Sequence, residues 1–104
     1  MFRHVVLLRW VDATSPERIA AVTDALRGLP EQIPEIARYT IGTDAGINAE
    51  NADLAVVADF ADFADRAAYL TYRDHPVHRA VIDELITPIL AGRTALQFDV
   101  DADA

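Results

Sequence analysis

The sequence predicts an α+β domain with the element order β-α-β-β-α-α-β. Short apolar runs with a period of two recur along the chain, and the segments between them carry apolar residues three and four apart. The breaks fall at Pro, Gly and Asp/Asn-rich turns. At 104 residues the chain is expected to form one domain over 1–100, with 101–104 (Asp-Ala-Asp-Ala) a frayed tail.

Residues 3–11 read as the first strand, because Val5-Val6-Leu7-Leu8 is short, half β-branched and bounded by the turn-forming Asp12 to Pro16. His4, Val6, Leu8 and Trp10 share one face, and Val5, Leu7 and Val11 share the other. A strand apolar on both faces is expected to be covered on both. Ser15 is placed to cap a helix, with Pro16 at its first position and Glu17 at the positive end of its dipole. Ile19, Val22, Leu26 and Leu29 make one stripe on that helix, Gly28 and Pro30 end it, and Pro30 to Pro34 reads as a bend.

A second strand is expected from about Ala37 to Thr43, with Tyr39 and Ile41 opposite Arg38 and Thr40. After the polar turn 44–52, Asp53 to Phe60 reads as a third strand, with Leu54, Val56, Ala58 and Phe60 on its more apolar face. Asp62 is placed to cap a short helix through Phe63, Arg66, Ala67 and Leu70, and Asp74-His75-Pro76 breaks it from the next. That next helix carries Val77, Val81, Leu85, Ile86 and Ile89, with Pro88 disturbing its last turn and Gly92 ending it. Thr94 to Asp101 reads as the closing strand, with Leu96, Phe98 and Val100 opposite Ala95, Gln97 and Asp99. This order matches the ferredoxin-like split βαβ arrangement with its second helix broken in two. Helices then cover one face of an antiparallel sheet, and the apolar residues on the other face predict a homodimer packed sheet on sheet.

Composition narrows the partners. Nine basic against seventeen acidic residues give a net charge of −8, which disfavours nucleic acid and anionic membranes. With 52% hydrophobic residues and a mean hydropathy of +0.11, the chain is too apolar for disorder. The chain has no cysteine, which excludes a thiol nucleophile, a thiolate metal site and a disulfide frame. It has no lysine either, which excludes Schiff-base chemistry and a phosphate-loop lysine, and Gly42 and Gly46 fit no phosphate-binding pattern. The opening residues read as neither a signal peptide nor a membrane span, so the cytoplasm is the expected location.

The residues able to do chemistry are few. In Tyr72-Arg73-Asp74-His75-Pro76-Val77-His78, His78 falls in the first turn of a helix, where the dipole disfavours its cation and suits it to act as a general base. The plainer alternative makes His75 a cap and His78 a partly exposed polar residue. Tyr72 can donate a phenolic hydrogen bond to a carbonyl, or it can simply close the core. Asp99 can orient an imidazole or stand exposed on its strand. His4, His75 and His78 could together bind a divalent ion, but no supporting carboxylate spacing is visible, and no metal or other cofactor is expected.

Arg3 to Trp10, Leu29-Pro30-Glu31-Gln32-Ile33-Pro34, Asp53 to Phe60 and above all Tyr72-x-x-His75-Pro76-x-His78 resemble the stress-responsive dimeric α/β barrel family over about residues 2–100. The resemblance implies a ferredoxin-like protomer whose sheet packs on that of its twin. The family includes olivetolic acid cyclase, a cofactor-independent enzyme of intramolecular aldol condensation, and by that likeness Tyr72, His78 and Asp99 would be catalytic. It likewise implies that His4, Val6, Leu8, Val56, His75 and Ile89 line a small apolar pocket for a hydrophobic or carbonyl-containing ligand. Ala20, Ala21 and Ala25 stand where that cyclase has tunnel-shaping aromatics, and Ile89 replaces another bulky ring. Two functions are therefore carried forward: a cyclase-like enzyme of aldol or enolisation chemistry, and a non-catalytic small-molecule-binding or stress-protection protein. A cofactor-free oxygenase is a third.

Overall fold

In a computed structural model, which describes residues 1–61 and 65–100, strands β1 (Phe2–Trp10), β2 (Ile36–Thr43), β3 (Leu54–Phe60) and β4 (Leu90–Asp99) form one antiparallel sheet in the order β2-β3-β1-β4. The helices are α1 (Pro16–Arg27), α2 (Leu29–Gln32), α3 (Asp65–Asp74) and α4 (Pro76–Val81), the last continued by a π-helical turn over Ile82–Ile86 and a 3-10 turn over Thr87–Ile89. This is the ferredoxin-like α+β fold read from the pattern.

Local chemistry explains where the elements begin. The Ser15 side chain accepts the Arg18 N–H and Pro16 opens α1, while the His75 side chain accepts the Val77 N–H and Pro76 opens α4. Pro88 has no N–H to offer the Glu84 carbonyl and its ring crowds that turn, which accounts for the widening to π and tightening to 3-10 before β4. Two expectations are corrected. The Pro30–Pro34 bend begins as the short helix α2, which Gly28 joins to α1 without a break. Gly92 does not end a helix: the chain is already extended from Leu90, and Gly92 pairs with Arg9 of β1 where the register shifts toward Trp10. The expected Asp62 cap, Phe63 and the 101–104 tail lie outside the described residues.

The core lies between the sheet and the helices. His4, Val6, Leu8 and Trp10 turn inward and are buried, on the one face predicted for them, and Phe2 at the start of the strand joins them. Val22, Leu26 and Leu29 meet them from the helices. Each such burial is worth about 1.5–3 kcal/mol. The opposite face is different. There Leu7, Leu96 and Phe98 are 40%, 60% and 41% exposed, around a two-pronged ion pair in which Arg3 Nε and Nη2 reach the buried Asp59 carboxylate at 2.7 and 3.1 Å.

Candidate functional site

A cavity of about 330 Å³ opens between the inner face of the sheet and the helices. Val6 and Leu8 of β1, Val56 of β3, Leu26 of α1, and Ile82 and Ile86 of the π turn give it apolar walls. Its polar groups come from β1 (His4), α3 (Tyr69, Tyr72, Arg73), α4 (His78, Arg79) and β4 (Arg93). Strand alternation delivers His4, Val6 and Leu8 to one face, and the antiparallel register places Gln97, Ala95 and Arg93 opposite them.

His78 is buried, and its ring lies against Tyr72 with centroids 4.2 Å apart. Its Nδ1 sits 3.0 Å from the Arg73 carbonyl, which can only accept, so Nδ1 carries the proton and Nε2 keeps the lone pair. Burial holds the His78 pKa below its ordinary value; the bond to the Arg73 carbonyl opposes this, and the charges of Arg79, His75 and Arg93 reinforce it. Burial is thus the leading cause, where the sequence argument had invoked the helix dipole. The outcome is a neutral imidazole with a free basic nitrogen.

His4 takes the complementary form. The Gln97 amide Nε2, a donor only, lies 2.7 Å from His4 Nδ1, so Nδ1 accepts and the ring proton resides on Nε2. Burial, and then the charges of Arg93 and His78, bring the His4 pKa down to about 4. At neutral pH the cavity therefore holds one imidazole able to accept a proton and one able to donate a hydrogen bond.

Tyr72 is 2% exposed, and its hydroxyl lies 2.8 Å from that of Tyr39 on β2. Burial pushes Tyr72 up to about 12, although the bond from Tyr39 works against the rise. Tyr39 is raised further, by burial and by Tyr72 itself, and either hydroxyl can donate to the other. Where Tyr39 donates, the Tyr72 proton is left for a third group.

Of the residues singled out from sequence, His4, Val6, Leu8, Val56, Tyr72 and His78 line this one space. Three do not. Asp99 ends β4 beside Phe2, and its carboxylate is 63% exposed and bound to Arg66 at 3.1 Å, with the Arg66 guanidinium over the Phe2 ring. Two residues further along a strand carry a side chain about 7 Å past Gln97, so Gln97 rather than Asp99 reaches an imidazole. His75 spends Nδ1 on its own helix, and Ile89 is buried at 1% exposure in the core without lining the cavity. With His75 so occupied the three histidines do not gather; among the described residues no group of three His, Asp or Glu could hold a metal ion.

Tyr69, Arg93, Tyr39 and Gln97 were missed as parts of the site. For Arg93 and Gln97 the signal was present: a strand begun at Leu90 puts both on the face of Ala95.

Comparison with known proteins gives a family and a fold. The profile of the stress responsive A/B barrel domain matches residues 2–100. No curated protein matches. A dimeric ferredoxin-like protein of unknown function from Thermobifida fusca is 42% identical, with 95% of this chain and 90% of that one covered at a TM-score of 0.84. A hydroxynitrile lyase from Passiflora edulis is 21% identical over 97% and 94% of the two chains, with a TM-score of 0.81. A ferredoxin-like member of the same family from Mesorhizobium loti is 18% identical over 95% of each, with a TM-score of 0.77. The last two likenesses concern the fold alone.

Proposed function

The chain belongs to the stress responsive A/B barrel domain family, and from that premise we propose that it is a homodimer whose cavity promotes proton transfer beside the carbonyl of a small, largely apolar molecule. The observation that carries the reading is the pairing of opposite tautomers with a buried phenol in one apolar space: His78 with Nε2 bare, His4 with Nε2 protonated, and the Tyr72 hydroxyl bonded to that of Tyr39.

In this reading His78 Nε2 takes a proton from the carbon next to a carbonyl, and the electron pair moves onto the carbonyl oxygen. The Tyr72 hydroxyl holds that oxygen, with Tyr39 donating to Tyr72 in turn, between apolar walls. Attack of the resulting enolate on a second carbonyl carbon of the same molecule forms a carbon–carbon bond and an alkoxide. His78 returns its proton to the alkoxide, so no net proton is consumed and no other reagent is needed. The orienting carboxylate expected at Asp99 has no part in this scheme. The Arg73 carbonyl supports the tautomer instead.

The homodimer rests on the exposed Leu7, Leu96 and Phe98 of the outer sheet face, and the Thermobifida fusca relative, described as dimeric, supports it. No helix among the described residues is long and apolar enough to cross a membrane, and a cytoplasmic location belongs to the same proposal. Binding without turnover is the second reading, favoured by the absence of a carboxylate from the cavity lining among the described residues.

Assay against a panel of β-polyketide thioesters, with deuterium exchange from solvent at the α carbon followed by NMR, tests the enzyme reading. Turnover or exchange that disappears in His78→Ala and falls about 10²-fold in Tyr72→Phe supports it. Ligand binding with neither turnover nor exchange leaves the binding protein. A monomer by light scattering at micromolar concentration removes the dimer.

A further inference from the structure

The cavity is electrostatically out of character with the chain. The protein carries nine arginines and seventeen acids, yet Arg73, Arg79 and Arg93 line this one space and no acid does among the described residues. Two of the three are answered from outside it: Arg73 is bound by Asp74 at 2.9 and 3.0 Å, and Arg79 stands 3.8 Å from Asp83. The Arg93 side chain has no ion pair or hydrogen bond among the described residues. It projects from β4 opposite Leu8, on the face that carries His4, and its charge reaches His4, Tyr72 and His78.

We infer that Arg93 is the anchor for a carboxylate on the cavity's ligand, so that the molecule taken up is a small organic acid with an apolar body. A guanidinium offers two parallel N–H donors that match one planar carboxylate, and here no protein carboxylate competes for them. The geometry of the acid follows from the walls. Its charged end meets Arg93 at the edge strand, and its apolar body enters between Leu8, Val56, Leu26 and Ile86. The carbonyl next to its reacting carbon then lies toward Tyr72 and His78. This inference rests on the reading of the cavity as a ligand site and adds the charge class of what it binds.

The test uses 3-phenylpropanoate and its neutral amide, 3-phenylpropanamide, titrated calorimetrically into the whole protein. The acid is expected to bind about 10-fold tighter than the amide, in the range of a charge-assisted hydrogen bond. Arg93→Gln should bring the two within about twofold by weakening the acid alone, and Arg93→Lys should restore part of the preference. Arg18→Gln, an equal change of net charge on an exposed residue of α1, should leave the preference intact. Thermal melts of all variants establish that they are folded. Equal binding of acid and amide by the parent protein, or a preference that survives Arg93→Gln, overturns the role of Arg93 while leaving the cavity a ligand site. If neither probe binds, the cavity reading fails and the inference falls with it.

Discussion

The two faces of the sheet are built from the same strands and treat polar groups in opposite ways. On the inner face, His4, His78 and Tyr72 are buried with no carboxylate partner among the described residues and are held neutral by burial. On the outer face the buried polar group is Asp59, a charge bound bidentately by Arg3 among exposed Leu7, Leu96 and Phe98. A buried neutral imidazole can take or lend a proton, whereas a carboxylate locked in a two-pronged ion pair is committed to its partner. The inner face is thus fit for chemistry, and the outer one for fixing the register of an apolar contact.

The largest expected break in that contrast is His78→Ala. Removing a general base should lower turnover by roughly 10²- to 10⁴-fold on any substrate the parent converts, with the dimer unchanged by light scattering. Leu96→Asp should do the reverse. Two copies of a new charge per symmetric interface should weaken dimerisation at least about 10²-fold by sedimentation, while the cavity still binds its ligand.

Acid sharpens the comparison further. A histidine whose folded pKa lies near 4, below its unfolded value near 6.5, binds fewer protons in the native state than in the unfolded one. The stability it allows is complete above pH 6.5 and is lost as pH falls toward 4, on the order of 3 kcal/mol in all. His78 shifts in the same direction and adds to the loss. Urea midpoints measured from pH 7 to 5 should therefore decline, and His4→Gln should flatten the decline. The smallest effect is expected from Tyr39→Phe, which leaves Tyr72 in place and removes only the hydroxyl bonded to it. A loss of about fivefold in turnover, with ligand affinity nearly unchanged, is the size of one neutral hydrogen bond.

Sequence periodicity reaches far into this molecule because its strands and caps are local. Ser15-Pro16 and His75-Pro76 open helices by interactions spanning two or three residues, and alternation in β1 assigns His4, Val6 and Leu8 to one side whatever their partners. What alternation lacks is depth. It gives Gln97 and Asp99 the same face, but the register decides that Gln97 stands opposite His4 and Asp99 opposite Phe2. The start of β4 was hidden for a related reason. Gly92 after Pro88 reads as a helix stop, and only the pairing of Gly92 with Arg9 reveals an extended strand there. That displaced boundary concealed Arg93. The hydroxyl pair Tyr39–Tyr72 joins residues 33 apart and has no local signature at all.

The cavity sets two neutral histidines in opposite tautomers. Nitrogen-15 NMR of the histidine rings at pH 7 tests it without any substrate. The expected spectrum shows His78 protonated on Nδ1 with Nε2 bare and His4 protonated on Nε2, neither carrying charge. Two like tautomers, or an imidazolium at His78, would contradict it.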